Sequence, residues 1–209
     1  MTYFHLQNRW RKLCQDAFGI TSLHAIDHAF NQLSSYYALR SRQYHNLNHV
    51  YHCLATQDLI NNHSPQLSAA LYLHDVQYAP HSTAHTQASA NFARKLLSRL
   101  GLDQQTIDHI QRLILATAHQ SPTQDDQERL IQEIDLSILG ATPEKYQRYT
   151  SQLRKESRNI PQQPYRIKRR QILNHFLDQD QIFHYPKLNQ HLEHQARLNL
   201  LQELSTLNK

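Results

Sequence analysis

The stretch YHNLNH, Tyr44 to His49, sets two histidines four residues apart with an amide side chain on either side of Leu47. Imidazole changes charge near neutral pH and, when neutral, binds metals through a ring nitrogen, so the pair suits proton transfer, ligation, or one of each. If a helix begins near His45, the two rings share one face about a turn apart. A second stretch, LYLHDVQY from Leu71 to Tyr78, places His74 and Asp75 among residues that belong in a core. Taking an ionised carboxylate out of water without compensation is costly, so Asp75 needs a donor, an exposed edge or a cation.

A third region adds a second carboxylate. Rotating Leu130 to Leu139 at about 100° per residue puts Asp135 inside the apolar arc with Ile131 and Ile138. The same rotation puts Glu133 on the opposite face, as an ordinary solvated helix charge. Two inward acids share one explanation in a divalent cation, whose charge they neutralise while neutral imidazoles add nitrogen ligands. Only one of His45 and His49 is then needed as a ligand, and the other is available to give or take a proton.

The elements that must position these groups read as helices. The chain has 209 residues and 3 glycines, and no stretch keeps a period-two alternation rich in β-branched residues. Ile26, Ala29, Phe30, Leu33 and Tyr37 recur at helical spacing after Ser22, and a similar pattern runs from Leu47 towards Ile60. Ser64 and Pro65 open a helix to His74. Ser82 is expected to cap the next, which Gly101 closes, and Asp103 to cap one carrying Ile107, Ile110, Ile114 and Ala118, with His119 at its end. Leu130 to Ile138 precede Gly140, and Thr142 with Pro143 start a helix through Tyr146, Tyr149 and Leu153. The segments Ile167 to Phe176 and Leu188 to Leu207 complete the set, with NIPQQP at 159–164 as a short loop. The expectation is an all-α bundle forming a single domain, 1–209.

Composition removes several classes of function. No run of eighteen apolar residues occurs, and MTYFHLQNRW lacks the parts of a secretory signal, so the chain is expected to be cytoplasmic with no membrane partner. Cys14 and Cys53 are too few for a disulfide framework or a thiolate zinc site, and are expected to be buried thiols. A balance of 22 Lys+Arg against 17 Asp+Glu gives a net charge of +5, which suits anionic partners. There is no basic stripe with interleaved aromatics, which disfavours nucleic acid. A homo-oligomer is compatible with all of this.

In order, His49, His74, Asp75 and Asp135 form an H…HD…D pattern, and with it the sequence resembles the HD superfamily of metal-dependent phosphohydrolases. It is most similar to a small bacterial group of predicted HD-superfamily hydrolases, through RQYHNLNH, LYLHDVQY, LILATAH and EIDLSILGA, with a looser echo in YRIKRRQIL. The resemblance covers roughly Gln43 to Phe183. It implies an HD-like helical bundle with a core at about 22–183, a C-terminal helix at about 185–207, and His49, His74, Asp75 and Asp135 as metal ligands. YHNLNH is also similar to the matching motif of cyclic-nucleotide phosphodiesterases, which implies that His45 acts as the general acid. Asn46 then orients water or a phosphate oxygen, or else caps the helix that follows. His119 and Arg169 are further candidates for contact with substrate.

The activity implied is hydrolysis of a small phosphate ester, nucleotides included, by a water that the metal acidifies. One divalent ion is expected, with manganese, iron, cobalt, nickel or zinc favoured over magnesium by two imidazoles. Two features depart from the related group. HTQASA places Thr86 where that group commonly carries an acidic residue, and the further histidines of binuclear phosphodiesterases are absent at clear spacing. The alternative is a regulatory protein that keeps an HD pocket for nucleotide binding without hydrolysis. The pairs His24/His28 and His81/His85, together with His191 and His194, are expected at the surface. Arg154, Arg169 and Arg170 are expected on solvated helix faces, from which they could steer an anion.

Overall fold

The computed structural model describes residues 2–79, 84–119 and 123–207, and all regular structure among them is helical. Among the described residues ten α-helices occur in the order α1 (Thr2–Lys12), α2 (Leu23–Tyr37), α3 (Leu47–Leu59), α4 (Pro65–Leu73), α5 (His85–Arg99), α6 (Gln104–Ala116), α7 (Asp126–Asp135), α8 (Pro143–Glu156), α9 (Gln162–Leu177) and α10 (Pro186–Leu207). None is long and apolar enough to cross a membrane. Contacts group the chain into two compact units, residues 1–132 and 133–209, and the division falls inside α7 rather than in a linker.

The first unit is organised by its caps. Ser22, Ser64 and Asp103 each accept a backbone N–H in the first turn of α2, α4 and α6, satisfying donors those helix starts would leave orphaned. Asn46 does the same for α3, its Oδ1 accepting the N–H of Asn48 at 2.8 Å. After α5, Gly101 takes φ +83°, a left-handed conformation that costs glycine little and ends the helix. The cap expected at Ser82 lies outside the described residues. α1 has no forecast counterpart, and its last turn widens into a π turn at Leu13–Ala17. This helix buries Leu6 and Trp10, and the Trp10 ring meets Tyr72 of α4 edge-on at 5.1 Å. The Tyr72 hydroxyl donates to the Leu6 carbonyl, and the Tyr37 hydroxyl donates to that of Tyr72, so two core phenols keep partners where water is excluded.

The second unit packs α10 against α9 and against a 3₁₀ turn, Leu136–Gly140. Gly140 is required there, because a Cβ at that position would stand 2.5 Å from the Leu192 Cβ. Asn199 of α10 donates to the carbonyls of Leu139 and Ala141 at 2.8 Å each, fixing the turn. Three expectations are corrected here. Glu133 is not a solvated charge: it is 3% exposed and accepts the backbone N–H groups of His184 and Tyr185, just before α10. A carboxylate at a helix N-terminus meets both orphan donors and the positive end of the dipole, which outweighs its removal from water. Arg169 does not sit on a solvated face either: it is 7% exposed, and Glu203 holds it by Nε at 2.8 Å and Nη2 at 2.9 Å. The loop expected at 159–164 is shorter, since α9 already begins at Gln162 and Pro164 fits in its first turn, where a missing N–H costs nothing.

Candidate metal centre

α3 and α4 bring the histidines together. His49 is the third residue of α3, on the side that also buries Val50 and Cys53, and its ring is almost fully enclosed. His74 follows the last residue of α4, where the chain turns, and Asp75 comes next. Both are buried, His74 at 1% and Asp75 at 6% exposure. The Nε2 atoms of His49 and His74 stand 3.0 Å apart, and Asp75 Oδ2 lies 3.3 Å from the second and 3.6 Å from the first. Ligands about 2.1 Å from one ion stand roughly 3.0 Å apart at right angles and roughly 3.4 Å apart at tetrahedral angles. The three donors therefore have the mutual spacing of neighbours in one coordination sphere.

The tautomer supports the same use. His74 Nδ1 lies 3.0 Å from the Leu71 carbonyl, which can only accept, so Nδ1 carries the proton. In the neutral ring that leaves the Nε2 lone pair directed at His49 and Asp75. An outer hydrogen bond of this kind orients a metal-binding imidazole and raises its basicity. α7 carries the remaining acid. Asp135 is the last residue of that helix and is half-buried, and His49 and His74 belong to a group of side chains able to hold a metal ion.

His45 is near this cluster but not on α3. It precedes the helix by two residues, and its ring centroid is 5.7 Å from that of His49. Tyr78 stacks on it, with centroids 3.9 Å apart and planes at 20°. Tyr44 fills the space behind, 4.9 Å from each of the His45 and His49 rings. Asn46 is engaged locally: besides capping α3 it donates from Nδ2 to the Gln43 carbonyl at 2.8 Å. Of its two anticipated roles, capping is the one its contacts describe.

α6 ends at Ala116, so His119 does not close that helix; it sits beyond it, exposed, at φ +51°. Arg169 belongs to the pair with Glu203, and its guanidinium also lies over the Tyr149 ring at 5.5 Å. Arg154 donates to the carbonyls of Ser157 and Ile160. Thr86, in the second position of α5, is buried. His24, His28, His191 and His194 are exposed as expected, while His85 is half-buried with its ring 5.4 Å from Tyr78. His81 lies outside the described residues.

Arg42 is the residue that sequence reasoning missed. It is 7% exposed and donates to the carbonyls of Asp75 at 2.6 Å, Val76 at 2.8 Å and His45 at 3.3 Å. Its guanidinium also lies over the rings of Tyr37 and Tyr78. A planar cation with five donors can tie several carbonyls at once, and here it joins the segment carrying His45 to the turn carrying Asp75. Its place at the head of RQYHNLNH was the available signal. An arginine beside a histidine motif reads as a surface charge unless the facing carbonyls are known.

Comparison with known proteins gives no relative: no family model matches the chain, and neither a curated protein nor a solved structure does.

Proposed function

We propose that the chain is a metal-dependent phosphohydrolase of the HD kind, cleaving a small phosphate ester, with nucleotides among its substrates. The observation that carries this reading is the spacing of three buried donor atoms, from His49, His74 and Asp75, at 3.0, 3.3 and 3.6 Å. Asp135 is the fourth ligand that the sequence resemblance implies. The donor set of two imidazoles and two carboxylates suits manganese, iron, cobalt, nickel or zinc better than magnesium. A bound divalent ion would supply an acidified water and stabilise negative charge on phosphoryl oxygens.

The chain's own groups do the rest. His74 is held in one tautomer by the Leu71 carbonyl, so its Nε2 needs no reorganisation to act as a ligand. His45, clamped by Tyr78, is the proton donor to the departing oxygen, because it is the imidazole next to the cluster that the ligand set does not use. Arg42 is a positioning residue that fixes the distance between His45 and Asp75 through their carbonyls. The net charge of +5 favours approach of an anion.

A second reading, nucleotide binding without hydrolysis, draws on Thr86, a buried residue with no carboxylate where the resembling group commonly has one. A phosphate-release screen over nucleotides and sugar phosphates separates the two, run on protein reconstituted separately with manganese, iron, nickel and magnesium. Metal-dependent release from at least one ester is expected. Nucleotide binding that His74→Ala abolishes, with no release under any metal, would instead favour the second reading.

A further inference from the structure

Between α2 and α5 the first unit has a surface cavity of about 400 Å³, lined among others by Tyr36, Gln77, Asn91, Phe92, Lys95 and Arg99. A volume of this size is in the range that small-molecule sites occupy, about 300–1,000 Å³. Its lining divides by chemistry. Tyr36 and Phe92 are half-buried and meet edge to face at 5.3 Å, giving one apolar, aromatic end. Gln77 and Asn91 supply amides: Asn91 Oδ1 accepts from Gln87 at 3.1 Å, and its NH₂ has no partner among the described residues. Lys95 and Arg99 supply positive charge.

That charge lacks a counterpart. Arg94, on the same helix, pairs with Asp108 at 2.7 Å, and Arg9 and Arg11 pair with Asp58 and Asp27, whereas no carboxylate among the described residues pairs with Lys95 or Arg99. The two are four apart on α5, so they share a face and repel each other. The helix C-terminus partly accounts for Arg99, which lies in the last turn, but not for Lys95. An aromatic end, amides with donors to spare and an uncompensated pair of cations are three parts of one recognition pattern. A bare anion would use only the cations, and an apolar ligand only the rings.

We propose that this cavity binds a nucleoside monophosphate, or a ligand of the same chemistry. The ring lies against Tyr36 and Phe92, the amides of Gln77 and Asn91 bond to its edge, and the phosphate sits between Lys95 and Arg99. The site is distinct from the histidine cluster, and the proposal does not rest on hydrolysis there. The two are neighbours along the chain: the Gln77 N–H donates to Ser89 of α5 at 3.0 Å, two residues after Asp75.

Isothermal titration of the full chain in chelating buffer tests this, with adenosine 5′-monophosphate, adenosine and inorganic phosphate as separate probes. The monophosphate is expected to bind more tightly than either part. Lys95→Gln with Arg99→Gln is expected to weaken it at least ~10-fold, and Tyr36→Ala to weaken both monophosphate and adenosine. His74→Ala is expected to leave its affinity unchanged. All of these substitutions except His74→Ala lie at exposed or half-exposed positions, and circular dichroism confirms folding. The proposal is overturned by no binding at millimolar monophosphate, by equal affinity in the double variant, or by a loss of binding in His74→Ala alone. Because metal is chelated throughout, failure here leaves the hydrolase reading intact, and failure of the phosphate-release screen leaves this one intact.

Discussion

The Tyr78 ring lies flat against His45, with centroids 3.9 Å apart and planes 20° from parallel. The stack confines an imidazole that no helix holds, since α3 begins only at Leu47. A group placed in this way can act in proton transfer without contributing to metal affinity. His45→Ala is therefore expected to retain metal and to lose about 10²- to 10⁴-fold in turnover on esters with poor leaving groups. On an activated aryl phosphate, whose leaving oxygen needs no proton, the loss should be small. Steady-state rates on the two substrate types check this, and equal losses would remove His45 from the role of acid.

Glu133 is expected to be a stability residue of the second unit. Its carboxylate takes the N–H groups of His184 at 2.8 Å and Tyr185 at 2.9 Å while almost completely buried. Glu133→Ala leaves both donors without that acceptor, at a cost on the order of 3 kcal/mol. A solvated glutamate would change stability by less than about 0.5 kcal/mol. Urea unfolding monitored by circular dichroism separates the two outcomes.

Burial pushes the Cys14 thiol up to about 12, with desolvation as the cause. Its folded value stands above the ordinary value of 9.0, so the folded state binds the proton more tightly than the unfolded chain does. The associated stability is fully present below pH 9.0 and is lost as pH rises towards about 12. At pH 8.5 the thiol should resist alkylation in the native protein and react once guanidinium unfolds it, which peptide mapping after iodoacetamide treatment reads directly.

Most of the fold was legible because its punctuation is local. Ser22, Ser64, Asp103 and Gly101 act within one helical turn of themselves, and each ends or begins a helix where the residue types indicate. α1 was not anticipated: its mean hydropathy is low, and only Leu6 and Trp10 face the core. His74 and Asp75 were legible because an acid next to an imidazole in an apolar run needs a compensating partner, whereas the choice of His49 over His45 came from the resemblance.

What escaped depends on distant backbone. Glu133 looked solvated by helical rotation and Arg169 by its residue type, yet one meets amides 51 and 52 residues away and the other a carboxylate 34 residues away. Arg42 bonds to carbonyls 33 and 34 residues on, which no periodicity announces. A charged side chain is buried when another segment offers complementary groups. That information lies in the fold rather than in the spacing of residues along one helix.

Metal stoichiometry is the most direct test of the central claim. Protein purified without chelator and analysed by inductively coupled plasma mass spectrometry should carry about one transition-metal ion per chain, the single site implied by one cluster of donors. His74→Ala and Asp75→Ala should carry none while keeping the helical circular dichroism of the native chain. Absence of stoichiometric metal from the native protein, even after reconstitution with manganese, iron, nickel or zinc, would contradict the account and leave His49, His74 and Asp75 as a buried polar network.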